Sequence, residues 1–593
     1  MLRKTKKNSA RVLATVVAFS ITAWIVALNA YYQVFSWFAE YDDEGYVLIS
    51  LKLFRQGRAL YDTVFSQYGP FYFAFMDAVL SALRINVSHD AGRFIQVGIW
   101  TATSLVCGLL IFGLTRNLAI GCAVQLLTAL ALDTIRNESM HPGALICFVL
   151  SCIALVTLLI PHRPRVAWAS LGALGAALAL TKINVGIFAL LAIGFVAIPA
   201  RRILLTIAGV VVICTPALLM MSRIDEPSVQ RFIFHITAAL LPLVVLGVGQ
   251  VFQPAPRAVA WALGGAAAAT VLISAFALLH GTTLQSLWNA VLIAPQRHPA
   301  VMFRPLVMGP ASRKFALIAA IAGVVIVSRK RIDAPLLRIA AALAMWMAVP
   351  GILPTRLGFY FAPIAWVAAL PVASIPDSQA LAFARRFLPL LAVLQTLHAY
   401  PVSRSQIQWG AFLLVPVAAI CIFDGVRLLS IRWAPANAIA SALLLLLVAV
   451  PVVKTITAAR RDYVTNVPLA LPGSQHVRLP SAQVSQLRDV VRMLDDHDCR
   501  TFIGAPGMGS FYFWARREPP TALNINGWGY LFVPELQQRA VHDLEHVDWL
   551  CVVERGGVLA TWPAVHKSIL AVYLQRNFVP VAENTKYRLW IHR

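Results

Sequence analysis

Three consecutive carboxylates stand in the run Tyr41-Asp42-Asp43-Glu44-Gly45-Tyr46, just past the first long apolar stretch of the chain. Like charges repel and burial disfavours ionisation, so a triplet beside hydrocarbon is costly and marks a place where chemistry is done. A carboxylate there can act as a general base and take the proton from an incoming hydroxyl. The competing reading is a solvated acidic cap on an interfacial helix, whose N-terminus favours negative charge. Cations that could hold an anionic leaving group follow: Arg136 in Arg136-Asn-Glu-Ser-Met-His-Pro142, Lys182 in Thr181-Lys-Ile-Asn-Val-Gly186, and Arg356 in Arg356-Leu-Gly-Phe-Tyr360. Taken singly, each reads first as a snorkelling side chain or half of a structural ion pair, ahead of a phosphate contact. His141 and His298 each precede a proline and read as hydrogen-bonding side chains ahead of metal ligands.

The element that must position these residues is a membrane. Of 593 residues, 59% are hydrophobic and 13% charged, and the mean hydropathy of +0.72 lies outside the range of soluble proteins. A basic start, Met1-Leu-Arg-Lys-Thr-Lys-Lys, precedes an apolar run near Val12–Ala30 that reads as a retained first helix with a cytoplasmic N-terminus. Further runs lie near 94–115, 118–135, 143–160, 167–180, 184–200, 203–221, 232–249, 258–279, 315–328, 335–350, 359–374, 387–398, 410–427 and 434–452. The count is about 15 spans. A net charge of +24 would suggest nucleic acid in a soluble protein. Here the basic residues fall in short gaps (Arg116, Arg163 with Arg165, Arg201 with Arg202, Arg257, Arg329-Lys330-Arg331, Arg385 with Arg386, Arg427 with Arg432) that alternation places on the cytoplasmic side. Asp43, Arg136, Lys182 and Arg356 then fall on the opposite side, as does the C-terminus.

Two outer loops are long. The first, about 31–93, holds Glu44–Arg58, where Val47, Leu48, Leu51 and Phe54 oppose Lys52, Arg55 and Arg58 on a helix. That segment is expected to lie flat in the interface, as is Phe71–Leu83. The second, His280–Lys314, carries Trp288, Gln296, Arg297, His298 and Arg304. The expected fold is therefore mainly α, a polytopic transmembrane bundle over 1–453 with a separate soluble α/β domain over 454–593. In that domain the sequence predicts a helix from Ser481 with Val484, Leu487, Val491 and Leu494 on one stripe. A strand Thr501–Gly504, a helix Glu535–His546, a strand Trp549–Val553, a helix Ala564–Arg576 and the alternation Tyr587, Leu589, Ile591 follow. The turn Gly504-Ala-Pro-Gly-Met-Gly-Ser510 does not have dinucleotide spacing and reads as an ordinary strand-to-helix turn. Six cysteines lie in apolar runs without metal spacing, whereas Cys499 and Cys551 sit in the soluble part, where a disulfide is one open alternative.

These segments, in this order, resemble the multi-spanning C-type glycosyltransferases that use polyprenyl-phosphate sugars: protein O-mannosyltransferases, the lipid A aminoarabinose transferase and bacterial Rgt-like enzymes. Asp43-Glu44 is similar to the Asp-Glu pair that the family carries after its first helix, where the Asp is the general base. Gln67-Tyr-Gly-Pro-Phe-Tyr72 resembles the aromatic-proline segment that follows, departing at Gly69, where relatives often carry a basic residue or His. The segments around Arg136, Lys182 and Arg356 resemble an Arg/Glu-rich segment, a Lys-x-Asn-x-Gly turn and a late Arg-aromatic motif. The resemblance covers most of the membrane part, and the soluble tail looks like the terminal domain of the Rgt-like subgroup.

That resemblance implies a catalytic group of Asp43 with Asp42 and Glu44, donor-phosphate contacts from Lys182, Arg136, Arg356 and Tyr68, and acceptor or loop residues Glu138, His141, Arg297 and His298. It implies hexosyl or pentosyl transfer with inversion, from a polyprenyl-phosphate sugar to a lipid, glycan or protein acceptor of the envelope. Membrane lipids are the other partner and nucleic acid is none; the location is the inner (plasma) membrane. No protein-bound metal or fixed cofactor is implied, with a divalent cation left open. The alternative is a transporter or flippase of lipid-linked saccharides, but such proteins usually show paired repeats and mid-helix polar residues, and here the ionisable residues gather at loop ends. A non-catalytic scaffold would leave the acidic triplet without a role.

Overall fold

In a computed structural model of the chain, each apolar run expected from the sequence carries a helix. The structure describes residues 2–593 except 137, 200, 250–253, 329–332, 347–356, 373, 375, 434, 522, 524–526, 529–531, 563 and 564. Arg356 and the Arg329-Lys330-Arg331 gap lie outside the described residues. Among the described residues, 10 helices are long and apolar enough to cross a membrane, from Ser9–Phe35 to Ala436–Thr465. Part of the difference from the expected count comes from runs that fold into shorter helices, such as Gly143–Leu159 and Ile183–Ala197, which fall short of bilayer thickness on their own. The chain is a mainly α, multi-pass membrane protein with a small C-terminal sheet.

Eight helices frame the region of interest: α1 (Leu2–Phe35), α2 (Asp43–Arg55), α3 (Pro70–Leu83), α4 (His89–Thr115), α5 (Leu118–Leu132), α6 (Gly143–Val156), α7 (Pro164–Ala179) and α8 (Ile183–Ala197). Of these, α2 corrects an expectation. Its charged face is not turned to water along a flat interfacial helix, because Glu44 to Phe54 are buried apart from Lys52. It packs against α3, α4 and the short helix Ser510–Trp514. Its charges are absorbed by partners: Arg93 takes both Glu44 oxygens at 2.7 and 2.6 Å, Arg55 binds Asp77 at 2.9 Å and Lys52 binds Glu518 at 2.7 Å. Amphipathic spacing indicates which face is charged, not whether an ion-pair partner will arrive to cover it.

Arg385 and Arg386, which the sequence places in a short basic gap on the cytoplasmic side, are held by partners inside the bundle. Arg385 is buried and binds Asp377 and Asp424, each at 2.7 Å, while Arg338 shares Asp424 at the same distance. The two guanidiniums also donate to the carbonyls of Ala368 and Leu370, at the end of the short helix Trp366–Ala369. Arg386 donates to the Gly247 carbonyl at 2.8 Å. Packed inside a bundle, paired charges of this kind replace water with each other and with unsatisfied helix-end carbonyls.

Position 454, the expected domain boundary, falls inside the helix Ala436–Thr465. Beyond it come a two-stranded ladder of β1 (Val467–Pro468) and β2 (Arg478–Leu479) and a four-stranded sheet of β3 (Thr501–Ala505), β4 (Leu550–Arg555), β5 (Phe578–Glu583) and β6 (Tyr587–His592) in the order β3-β4-β6-β5. β3 and β4 are parallel, and the other two pairings are antiparallel. The helix Ser481–Asp496 buries Val484, Leu487, Val490 and Leu494 against it, with Val490 in the place expected for Val491. Its N-cap position is Pro480 rather than Ser481. Cys499 and Cys551 form a disulfide that ties the starts of β3 and β4. The apolar core is continuous from bundle into sheet domain, with Phe38 against Trp514 at 5.2 Å.

Candidate active site

A cavity of about 2090 Å³ opens where the first outer loop, the α5–α6 and α7–α8 turns, the segment 286–304, the segment 400–409 and the C-terminal domain meet. Asp43, Tyr68, Glu138, His141, Lys182, Arg297 and His298 line it. These come from five separate stretches of sequence, brought together by turns that share one end of the bundle. Gly69 shows how tightly they are joined. Its N–H donates to Thr181 O at 2.9 Å and that of Phe71 to Leu180 O at 3.0 Å. A side chain at position 69 would fall 2.0 Å from Leu180 O, so this position, where the family that the sequence resembles often carries a basic residue or His, has no room for one here.

Of the acidic triplet, Asp43 alone reaches this cavity. It is half-buried, and its charge acts on Tyr46, Tyr68 and Glu138. Asp42 is the N-cap of α2, its carboxylate accepting from Gly45 N, and Glu44 is consumed by Arg93. Those two are corrections to a catalytic group of three, because consecutive residues at a helix start diverge by about 100° and only one can face a given wall. Arg136 is also elsewhere. It donates to Gln33 Oε1 at 2.6 Å and stacks over Trp37 at 4.9 Å, which ties it to α1 rather than to the cavity.

The hydrogen bonds around Tyr68 fix a proton. His141 Nδ1 accepts from the Gly143 N–H at 3.0 Å, so the neutral ring carries its hydrogen on Nε2 and donates it to Tyr68 Oη at 2.7 Å. Burial, with the Lys182 charge added, holds His141 well below the usual histidine range and hence neutral. The Tyr68 hydroxyl hydrogen is thereby left available to the cavity. Burial and the Asp43 charge push the Glu138 carboxyl up to about 8, against a hydrogen bond from Ser405 and the charges of Lys182 and Arg404. Desolvation brings the Lys182 ammonium down to about 8, with Glu138 opposing it. Its Nζ lies 3.0 Å from both His398 Nε2 and Gln406 Oε1. Trp409 stacks on His141 at 4.2 Å between centroids and lies under Lys182 at 6.0 Å.

His398, Arg404, Gln406 and Trp409 were not anticipated from the sequence. The available signal was weaker than for His141 and His298, which directly precede prolines: His398 closes an apolar run three residues before Pro401. Two walls complete the cavity. One is apolar, from Ile187 and Leu191 on α8 and Val211, Leu218 and Leu219 on the helix Arg202–Leu219. The other comes from the C-terminal domain, with Leu536, Arg555, Trp562 and Lys586. Glu40 bridges this wall to the first loop, binding Lys586 through its side chain and Arg555 through its carbonyl. Among the described residues no group of three His, Cys, Asp or Glu side chains is placed to hold a metal ion.

No family model matches the chain, and no curated protein matches it. Among solved structures it is similar to the Archaeoglobus fulgidus oligosaccharyltransferase in the apo form, at 14% identity over 95% of this chain and 73% of that one, with a TM-score of 0.43. It is also similar to ArnT from Cupriavidus metallidurans in the apo state, at 14% identity over 99% of this chain and 98% of that one, with a TM-score of 0.36.

Proposed function

We propose that the protein is an inverting glycosyltransferase that moves a sugar from a polyprenyl-phosphate donor to an acceptor hydroxyl at the outer face of the inner (plasma) membrane. The observation that supports it above others is one cavity joining an exposed apolar wall, from α8 and Arg202–Leu219, to a polar end with Asp43 and cations. A lipid-linked phosphate has that division: a hydrocarbon chain that is cheapest among apolar side chains, and a charged headgroup that must be paired when taken from water. Asp43 takes the proton of the acceptor hydroxyl as its oxygen bonds to the anomeric carbon from the side opposite the phosphate. The bond from that carbon to the phosphate oxygen breaks, and its electron pair leaves with polyprenyl phosphate. Lys182, Arg297 and Arg404 stabilise the charge that builds there, and Tyr68 contributes a hydroxyl donor. Lipid, glycan and protein acceptors all fit this step.

The test uses purified protein, a panel of decaprenyl- and undecaprenyl-phosphate-linked hexoses and pentoses, and an extract of envelope lipids, glycans and proteins as acceptor, with no nucleotide present. Release of polyprenyl phosphate by the wild type is expected, with Asp43→Asn slower by about 100- to 10,000-fold, the range of lost general-base catalysis. Activity confined to nucleotide sugars, or wild-type turnover by Asp43→Asn, would overturn the proposal.

A further inference from the structure

Asp42, next in sequence to the proposed base, has an unusual number of partners for a cap. Its backbone is left-handed, with φ 54 and ψ 44, a conformation that a residue with a Cβ adopts at a cost and that persists where the surroundings dictate it. One carboxylate oxygen accepts from Gly45 N at 2.9 Å and from Ser510 Oγ at 2.6 Å, and the other from Ser510 N at 2.8 Å. Ser510 Oγ lies 2.8 Å from His89 Nε2, and the His89 ring stacks on Trp514 at 5.0 Å. Asp42, His89 and Ser510 are all buried.

The backbones on either side are in contact as well. A Cβ added to Gly45 would fall 2.1 Å from Ser510 N, and one added to Gly509 would fall 2.5 Å from the Gly45 carbonyl carbon. The turn read from the sequence as an ordinary connection between β3 and the next helix is therefore seated on the start of α2. Nothing in the proposed transfer step uses Ser510 or His89, yet they are the groups that hold the residue preceding Asp43.

We propose that Ser510 is a positioning residue: through Asp42 it sets the left-handed start of α2 and so the direction in which Asp43 enters the cavity. The C-terminal domain then completes the base-bearing loop, and His89 keeps the Ser510 hydroxyl turned toward Asp42. This rests on the reading of Asp43 as base.

The experiment measures kcat and KM on the panel member that the wild type consumes fastest, for Asp43→Asn, Asp42→Asn, Ser510→Ala and the double variant Asp42→Asn/Ser510→Ala. Thermal unfolding in the same detergent reports folding. Ser510→Ala is expected to lose about 10- to 100-fold in kcat, the scale of an ångström-sized misplacement, with KM for the donor within about twofold. Asp42→Asn should fall in the same range, and the double variant should lie within about threefold of the slower single, since both cut one link. Unchanged kcat in folded Ser510→Ala, or losses that multiply in the double variant, overturns the positioning role. Wild-type turnover by Asp43→Asn overturns the underlying base reading and this inference with it, and that variant alone tells the two failures apart. Should Ser510→Ala fail to fold, His89→Leu takes its place, with an expected loss of about three- to tenfold in kcat at unchanged KM; wild-type kcat there overturns the role equally.

Discussion

Glu138 carries a pH signature that belongs to one side chain. Burial and the neighbouring Asp43 raise its carboxyl from 4.5 to about 8 in the folded protein. Between those values the unfolded chain has released the proton that the folded chain keeps, so stability falls as pH rises through that window and is level outside it. Asp42, raised mainly by burial from 3.8 to about 7, adds a slope of the same sign. Below about pH 6.5 buried neutral histidines such as His141 add a slope of the opposite sign; above it the melting temperature in detergent should drop from pH 7 to pH 8, and Glu138→Gln, neutral throughout, should flatten part of that drop. An identical slope in the variant would rule out Glu138 as a source. Asp43, Tyr68, Glu138, His141 and Lys182, which the resemblance groups from outer loop ends, all line one cavity, so their convergence was legible in the sequence. Sequence gives position along the chain but not direction, and for that reason Arg136, which turns back to Gln33, and Asp42 and Glu44, which turn away from the cavity, were grouped with it.

At the scale of elements, the ionic cluster of Arg338, Arg385, Asp377 and Asp424 joins segments that share no loop. Asp424 accepts from both arginines. Removing it takes from Arg338 and Arg385 the carboxylate they share, leaving Arg385 with Asp377, and breaking a buried pair in this way costs about 3–5 kcal/mol. Asp424→Ala is expected to unfold at a markedly lower temperature than the wild type, whereas Asp462→Ala, in an exposed pair with Arg461, should change it little. Equal melting temperatures for wild type and Asp424→Ala would remove the cluster from the list of stabilising contacts. Hydropathy located every apolar helix but could not see this cluster, because it counts arginine only as a penalty. It also missed β5, where Pro580 and a register shift between Pro580 and Ala582 break the alternation that signals a strand.

For the whole molecule the question is which end faces which compartment. Helix α4 starts at His89 beside Ser510 and ends at Arg116, so over its length it separates the cavity and sheet domain from a second recess lined by Arg116 and Arg427. With the basic end in the cytoplasm, as positive charge directs, an impermeant thiol reagent on intact cells should modify a cysteine introduced at Gly556 and spare one introduced at Arg163. The reverse pattern would invert the protein in the membrane. The sequence marks a shift from apolar to mixed composition near residue 454, which falls inside the helix Ala436–Thr465. It did not reveal how far the parts on either side share one core, since contacts such as Phe38 with Trp514 join residues remote along the chain.

The link between Asp42 and Ser510 spans 468 positions of sequence, and that distance has a meaning in time. At about 5–20 residues per second of synthesis, the loop around Asp43 leaves the ribosome roughly half a minute or more before the serine that closes it. Throughout that interval the nascent chain already holds its first helices in the bilayer with the left-handed start of α2 unsupported. A chain stalled or cleaved before Ser510 would carry every side chain named in the transfer step, yet lack the contact that aims Asp43. On the proposed role of Ser510, full turnover would therefore require a chain completed past that serine.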